Sequence, residues 1–247
     1  MNKTFCKKSN YNNFFLAGCL ILFNLILVFT GCGLDTFYVI EPPSVYHETT
    51  YSNLDESENY FEFYTVEDDY DGVTFLGTEI YYKIYDSTSK LSSEYANINS
   101  AASNETTANQ SASRLIETYK FQPLRSSDNP GANILIPNKG TGRKITVRLS
   151  NYYDYKAEFT VDGTQLGVPV RSIPKNPSFS FKELTSTPDL LPKAGDNADA
   201  DYGYSTTTEE IKEYYVSLFA VSVAQDITYA WLYSNVVALG SVTISIE

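Results

Sequence analysis

Apolar and polar positions alternate along much of this chain with the period of a β-strand. In residues 59–66, Phe61 and Phe63 alternate with Glu62 and Tyr64, the period-two signature of a strand with one buried face. Residues 73–85 carry the longest such pattern. Ile80, Tyr82 and Ile84 fall on one face, and Glu79, Tyr81, Lys83 and Tyr85 on the other. Asp71-Gly72 between the two stretches is a hairpin-type turn signal. The same alternation marks residues 144–149, residues 157–161 with the turn Asp162-Gly163 behind them, and residues 214–221, where Tyr214, Val216, Leu218 and Ala220 are expected to face inward. Residues 232–237 and 240–246 read as further strands, and 37–40, 120–124, 133–136 and 178–183 as shorter β-prone pieces. Helical spacing appears at Leu91, Tyr95 and Ile98, and again at Ala112, Leu115 with Ile116, and Tyr119. Residues 99–110 lack large apolar side chains and read as a mobile link between the two helices. The pattern predicts an all-β sandwich with short helical and loop insertions laid on it.

The first thirty residues follow another rule. Lys3, Lys7 and Lys8 precede an apolar run from Phe14 to Phe29, and no Asp or Glu occurs before Asp35. A basic head followed by an apolar core is a secretory leader. The run is short for a spanning helix, which needs roughly 20 apolar residues, and Asn24 near its middle disfavours residence in lipid. It ends in Phe29-Thr30-Gly31-Cys32, which resembles the lipobox of bacterial lipoproteins. The resemblance implies acylation of Cys32 with palmitate-type chains and cleavage just before it. Leucine is usual where Phe29 stands, but spirochaetal members of that family are looser there. Two or more acyl chains hold a protein on a membrane for long times. The implied organisation is a signal peptide at 1–31, a lipidated N-terminus and stalk at 32–58, and a sandwich at 59–247 with a large insertion at about 87–208. The competing expectation is a signal anchor that is never cut.

Within the sandwich, Gly77-Thr78-Glu79-Ile80-Tyr81-Tyr82-Lys83 resembles the third strand of a fibronectin type III domain, with Ile80 and Tyr82 matching and Thr78 in place of the expected tyrosine. Residues 214–221 resemble that family's sixth strand, which implies a tyrosine corner at Tyr214. Residues 232–246 resemble its last strand and extension. The likeness covers about a third of the mature chain, and the 87–208 stretch is expected to elaborate the same sandwich.

Composition narrows the chemistry. Only three cysteines occur among 247 residues. Cys6 and Cys19 would leave with the leader and Cys32 would carry lipid, so no thiol remains for catalysis, disulfides or zinc. The single histidine, His47, lies in a polar stretch. No nucleophile-elbow, Walker or dinucleotide-binding pattern is present, so a non-catalytic protein without a cofactor is expected. The formal charge of −12, made more negative by loss of the leader's lysines, makes nucleic acid an unfavourable partner. Asp196, Asp199 and Asp201 stand at near-alternate positions in the long loop 184–208 and form a calcium candidate, though Tyr202 occupies the place where an EF-hand wants glycine. Tyrosine is abundant at 21 residues. Tyr81, Tyr85, Tyr215 and Tyr233 are candidate ligand contacts, because tyrosine gives large contact area at small entropy cost. The expectation is a lipid-anchored protein of the cell envelope, on the inner or outer membrane, exposed to periplasm or cell surface. Its membrane contact is the lipidated cysteine, and its sandwich binds another envelope or extracellular protein. The alternative expectation is a glycan-binding lipoprotein that uses exposed tyrosines and acidic loops.

Overall fold

The computed structural model describes residues 38–67, 71–102, 108–173, 176–205 and 211–246. The leader, Phe29, Thr30, Gly31 and Cys32 lie outside the described residues. In chain order the elements are β1 (Ser44–His47), β2 (Phe61–Tyr64), β3 (Val73–Tyr85), helix α1 (Thr88–Ala102) and helix α2 (Ala108–Ser113), which runs on into a π turn over Arg114–Thr118. Then come β4 (Gln122–Pro123), β5 (Arg125–Ser126), β6 (Ile136–Pro137), β7 (Lys144–Arg148), β8 (Glu158–Val161), β9 (Thr164–Gln165) and β10 (Pro169–Val170). The last are β11 (Tyr202–Gly203), β12 (Glu213–Asp226), β13 (Trp231–Tyr233) and β14 (Val237–Ser245). The described chain is mostly β, with few helices.

Two sheets face each other across one core. The five-stranded sheet has the order β1-β2-β7-β8-β9. The seven-stranded sheet is built on the long antiparallel pair β3 and β12, with β13 and β14 on the far side of β12 and the short β4, β6 and β11 along β3. Phe61, Phe63, Ile145, Val147, Phe159 and Val161 from the first sheet meet Ile80, Tyr82, Ile84, Tyr214, Val216, Leu218 and Ala220 from the second. The alternation read from the sequence thus puts the expected residues inside. β7 and β8, from the middle of the chain, share this core.

The other face of the seven-stranded sheet is covered by helices. Leu91 and Ile98 of α1, Ala112 of α2, Leu115 and Phe121 pack on Tyr81, Tyr85, Phe219, Val221 and Val223. The described body from Tyr38 on therefore has three layers: sheet, sheet, helices. Polar groups caught under the helices are paired. Lys83 Nζ donates to Glu94 Oε2 at 2.8 Å and to the Tyr119 carbonyl at 2.6 Å, and Tyr85 donates to the same Glu94 oxygen at 2.9 Å.

Several expectations change. The stalk expected at 32–58 is bound into the body from Tyr38 on. Ile40 is buried with Phe75 and Ala224, β1 pairs with β2, and Ser241 N donates to the Thr49 carbonyl at 3.0 Å. Gly240 admits that crossing: its φ is +112°, and a Cβ there would collide with the Thr49 oxygen. The strand expected at 178–183 is instead a 3₁₀ turn over Phe181–Leu184, whose Phe181 and the neighbouring Phe179 fill the core. Of the link expected at 99–110, residues 99–102 belong to α1 and 108–110 to α2, and 103–107 lie outside the described residues.

Candidate functional site

The outer face of the five-stranded sheet gathers rings and cations, with Tyr46, Tyr64 and Tyr155 exposed, Tyr60 and Lys144 partly covered and Arg148 buried. Phe61 and Phe63 point into the core, so Tyr60, Glu62 and Tyr64 face outward by parity. β7 pairs with β2 in the register Tyr64↔Lys144 and Glu62↔Thr146, which sets Lys144, Thr146 and Arg148 beside them. β1 adds Tyr46 and His47 at the edge. Tyr46, 69% exposed, stands edge-on to Tyr64 with ring centroids 6.0 Å apart. Lys144 Nζ lies 5.4 Å from the Tyr46 ring centroid and 2.8 Å from Glu62 Oε2. The His47 ring stacks on Tyr60 at 4.0 Å. Beyond it the Arg148 guanidinium sits between Tyr60 and Tyr155, at 5.3 and 4.8 Å from their centroids. Arg148 also donates to the carbonyls of Glu56 at 3.2 Å and Ser57 at 3.3 Å.

This band is held in place by its own contacts. Each cation is fixed by a carboxylate or carbonyl and in turn fixes a ring, as cation–π geometry favours. A hydrogen bond from Lys144 to the Glu62 carboxylate raises the lysine's pKa and keeps it charged. Partial burial, together with Glu58 and Glu62, raises the Tyr60 phenol and keeps it protonated as a donor. Aromatic and arginine side chains with little freedom left to lose are the residues that dominate protein recognition. Sequence reading named none of Tyr46, Tyr60, Tyr64, Lys144, Arg148 and Tyr155 as site residues. The available signal was parity: Tyr60 and Tyr64 fall on the strand face opposite Phe61 and Phe63.

The four tyrosines expected as ligand contacts lie elsewhere. Tyr81 and Tyr85 are 8% and 0% exposed, because α1, α2 and the π turn cover their face. Tyr215 and Tyr233 are half-buried at the margin of the same layer. The structure brings them together as packing under helices and corrects the expectation that Tyr81 and Tyr85 are open to a ligand. Tyr214 is buried against Phe181 and Tyr202, and the upstream backbone that a tyrosine corner would use, 206–210, lies outside the described residues.

The acidic loop is also resolved differently. Asp201 is fully buried and takes two bonds from Arg171, at 2.8 Å each, and a third from the Tyr82 hydroxyl at 2.7 Å. Asp199 accepts from Arg171 at 3.1 Å and from Lys193 N at 3.2 Å. Asp196 is exposed and apart from them. A guanidinium thus occupies the position the calcium candidate needs, and its Nη1 alone has no partner among the described residues. Among the described residues no three His, Cys, Asp or Glu gather as a metal group, and no helix is long and apolar enough to cross a membrane. No family model, curated protein or solved structure matches the chain.

Proposed function

We propose that this chain is a lipid-anchored, non-catalytic protein of the cell envelope. It is tethered through acylated Cys32, and its type III-like sandwich receives another envelope or extracellular protein. The observation that carries the binding reading is the fixed band of Tyr46, Tyr64, Lys144, Tyr60, Arg148 and Tyr155 on the outer face of the five-stranded sheet. Strand neighbours support the type III likeness. β1-β2-β7 and β3-β12-β14 adjoin as first-second-fifth and third-sixth-seventh strands do in immunoglobulin-like sandwiches. The helical layer and β8 are additions to that plan. The exposed rings also suit sugar faces, so a glycan is the second reading. With Asp199 and Asp201 held by Arg171, such binding would not depend on calcium.

Two measurements test the proposal. Cys32→Ala is expected to leave the leader attached and the chain unacylated; a normal mature mass in that variant overturns the tether. A photo-crosslinking residue at position 64, in intact cells, is expected to give a discrete protein adduct, while one at Ser93 on the helical layer gives none. Equal labelling from both positions removes the aromatic face as the site. Loss of signal from position 64 with saturation on a glycan panel would transfer the face to the second reading.

A further inference from the structure

The end of the seven-stranded sheet where the chain enters the body carries an exposed apolar turn. β12 and β13 are joined there, and Ile227, Tyr229 and Trp231 are 77%, 79% and 50% exposed. The turn is built rather than slack. The Asp226 carboxylate accepts from Thr228 N at 2.7 Å, from the Thr228 hydroxyl at 2.7 Å and from Ala230 N at 3.0 Å. Backbone bonds close it from Tyr229 N to the Asp226 carbonyl and from Asp226 N to the Ala230 carbonyl. Tyr229 is held at φ +65°, an uncommon conformation for a bulky residue that surrounding structure must stabilise. Three large apolar side chains held out to water within five residues mark a contact surface.

Where the chain enters says what that surface meets. Ile40 packs with Phe75 and Ala224, and Leu232 lies against them. Ala224 is two residues from Asp226 and pairs with both Phe75 and Leu232. The Tyr38 ring lies beside Gly72, next to Val73, which is the register partner of Asp226. Val39, 54% exposed, belongs to the same end. Only five residues separate Cys32 from Tyr38, six chain steps with a reach of at most about 22 Å. An acylated Cys32 would therefore keep this end of the body close to the bilayer. Resting on the lipid-anchor reading, we infer that the 227–231 turn, with Val39, is a second membrane contact that seats in the headgroup layer beside the anchor. Trp and Tyr favour that depth, where one end of the ring is apolar and the other wet. Its charge selects the lipid. Residues 221–246 contain no lysine or arginine, and Asp71 and Asp226 flank the turn, so the contact suits zwitterionic headgroups and gains nothing from anionic ones.

Trp231 is the chain's only tryptophan and reports on the contact directly. The natively processed protein would be reconstituted into phosphatidylcholine vesicles, and acylation of Cys32 checked by intact mass. The expected result is blue-shifted Trp231 emission that is quenched by lipids brominated near the headgroup and is insensitive to salt. The double variant Ile227→Ser/Tyr229→Ser is expected to lose most of that quenching while the protein stays in the vesicle fraction through its lipid. An acylated, vesicle-bound protein whose Trp231 emits as in water and is not quenched overturns the inference and leaves the lipid anchor standing. Blue-shifted emission without lipid quenching, in a protein that cross-links to a dimer at the turn, overturns it in favour of a second copy. An unacylated mature chain removes the anchor and this inference together.

Discussion

At the residue scale, the most consequential group is the buried Arg171 with Asp201, Asp199 and Tyr82. Arg171→Leu would leave the buried Asp201 carboxyl without its guanidinium partner. The expected loss is about 3–5 kcal/mol in urea unfolding, with partial recovery when Asp201→Asn is added; an unchanged midpoint would refute the pairing. Glu79 makes a different case. Burial pushes its carboxyl up to about 7, against the opposing pull of Arg125 and the Leu135 N–H. An acid with a folded pKa above its unfolded value binds more protons when folded. Its stabilising contribution is then full below about 4.5 and is lost as pH rises through about 7, by at most about 1.4 kcal/mol per pH unit. Glu79→Gln is expected to remove this slope, seen as a flatter profile of unfolding free energy across that window. An identical slope in both proteins would show that the group titrates normally. The sequence displayed Asp199 and Asp201 plainly but not their partner. Arg171 stands in a stretch without periodicity, and nothing local links it to acids some thirty residues later.

At the element scale, parity carried most of the information. Residues 73–85 were legible as one strand with two assigned faces, and both assignments hold: Ile80, Tyr82 and Ile84 enter the inter-sheet core, while Tyr81 and Tyr85 take the other side. What covers that other side was not legible. The apolar stripe of Leu91, Tyr95 and Ile98 shows that α1 must be covered, but a stripe does not name the surface it lands on. The segment 38–58 hid for a related reason. It is polar with few apolar anchors, and its attachment depends on β1 pairing with β2 and on the backbone crossing at Gly240. A true stalk could be shortened freely. Deleting residues 38–51 is instead expected to lower the unfolding free energy by about 2–4 kcal/mol, seen as a lower urea midpoint, through loss of the Ile40 cluster and of β1. A midpoint within error of the intact chain would restore the stalk.

At the scale of the whole molecule, the sandwich was legible because both of its inner faces alternate. The candidate face was only half legible. Tyr64 was visible as an outward position, but Tyr155 reaches Arg148 from a loop, and Tyr46 reaches Lys144 across an irregular β1 register. A further property follows from the way the long pair β3 and β12 is fenced. The free side of β3 is taken by three separate two-residue pieces, β4, β6 and β11. Beyond β12 lie β13, only three residues long, and β14, whose outer backbone is met by Thr49. If the chain is tethered as proposed, its copies would meet often and in a common orientation, the conditions in which open strand edges join into ordered aggregates. Here the longest strands offer no uninterrupted run of free backbone, so crowding at high copy number should not drive edge-to-edge polymerisation.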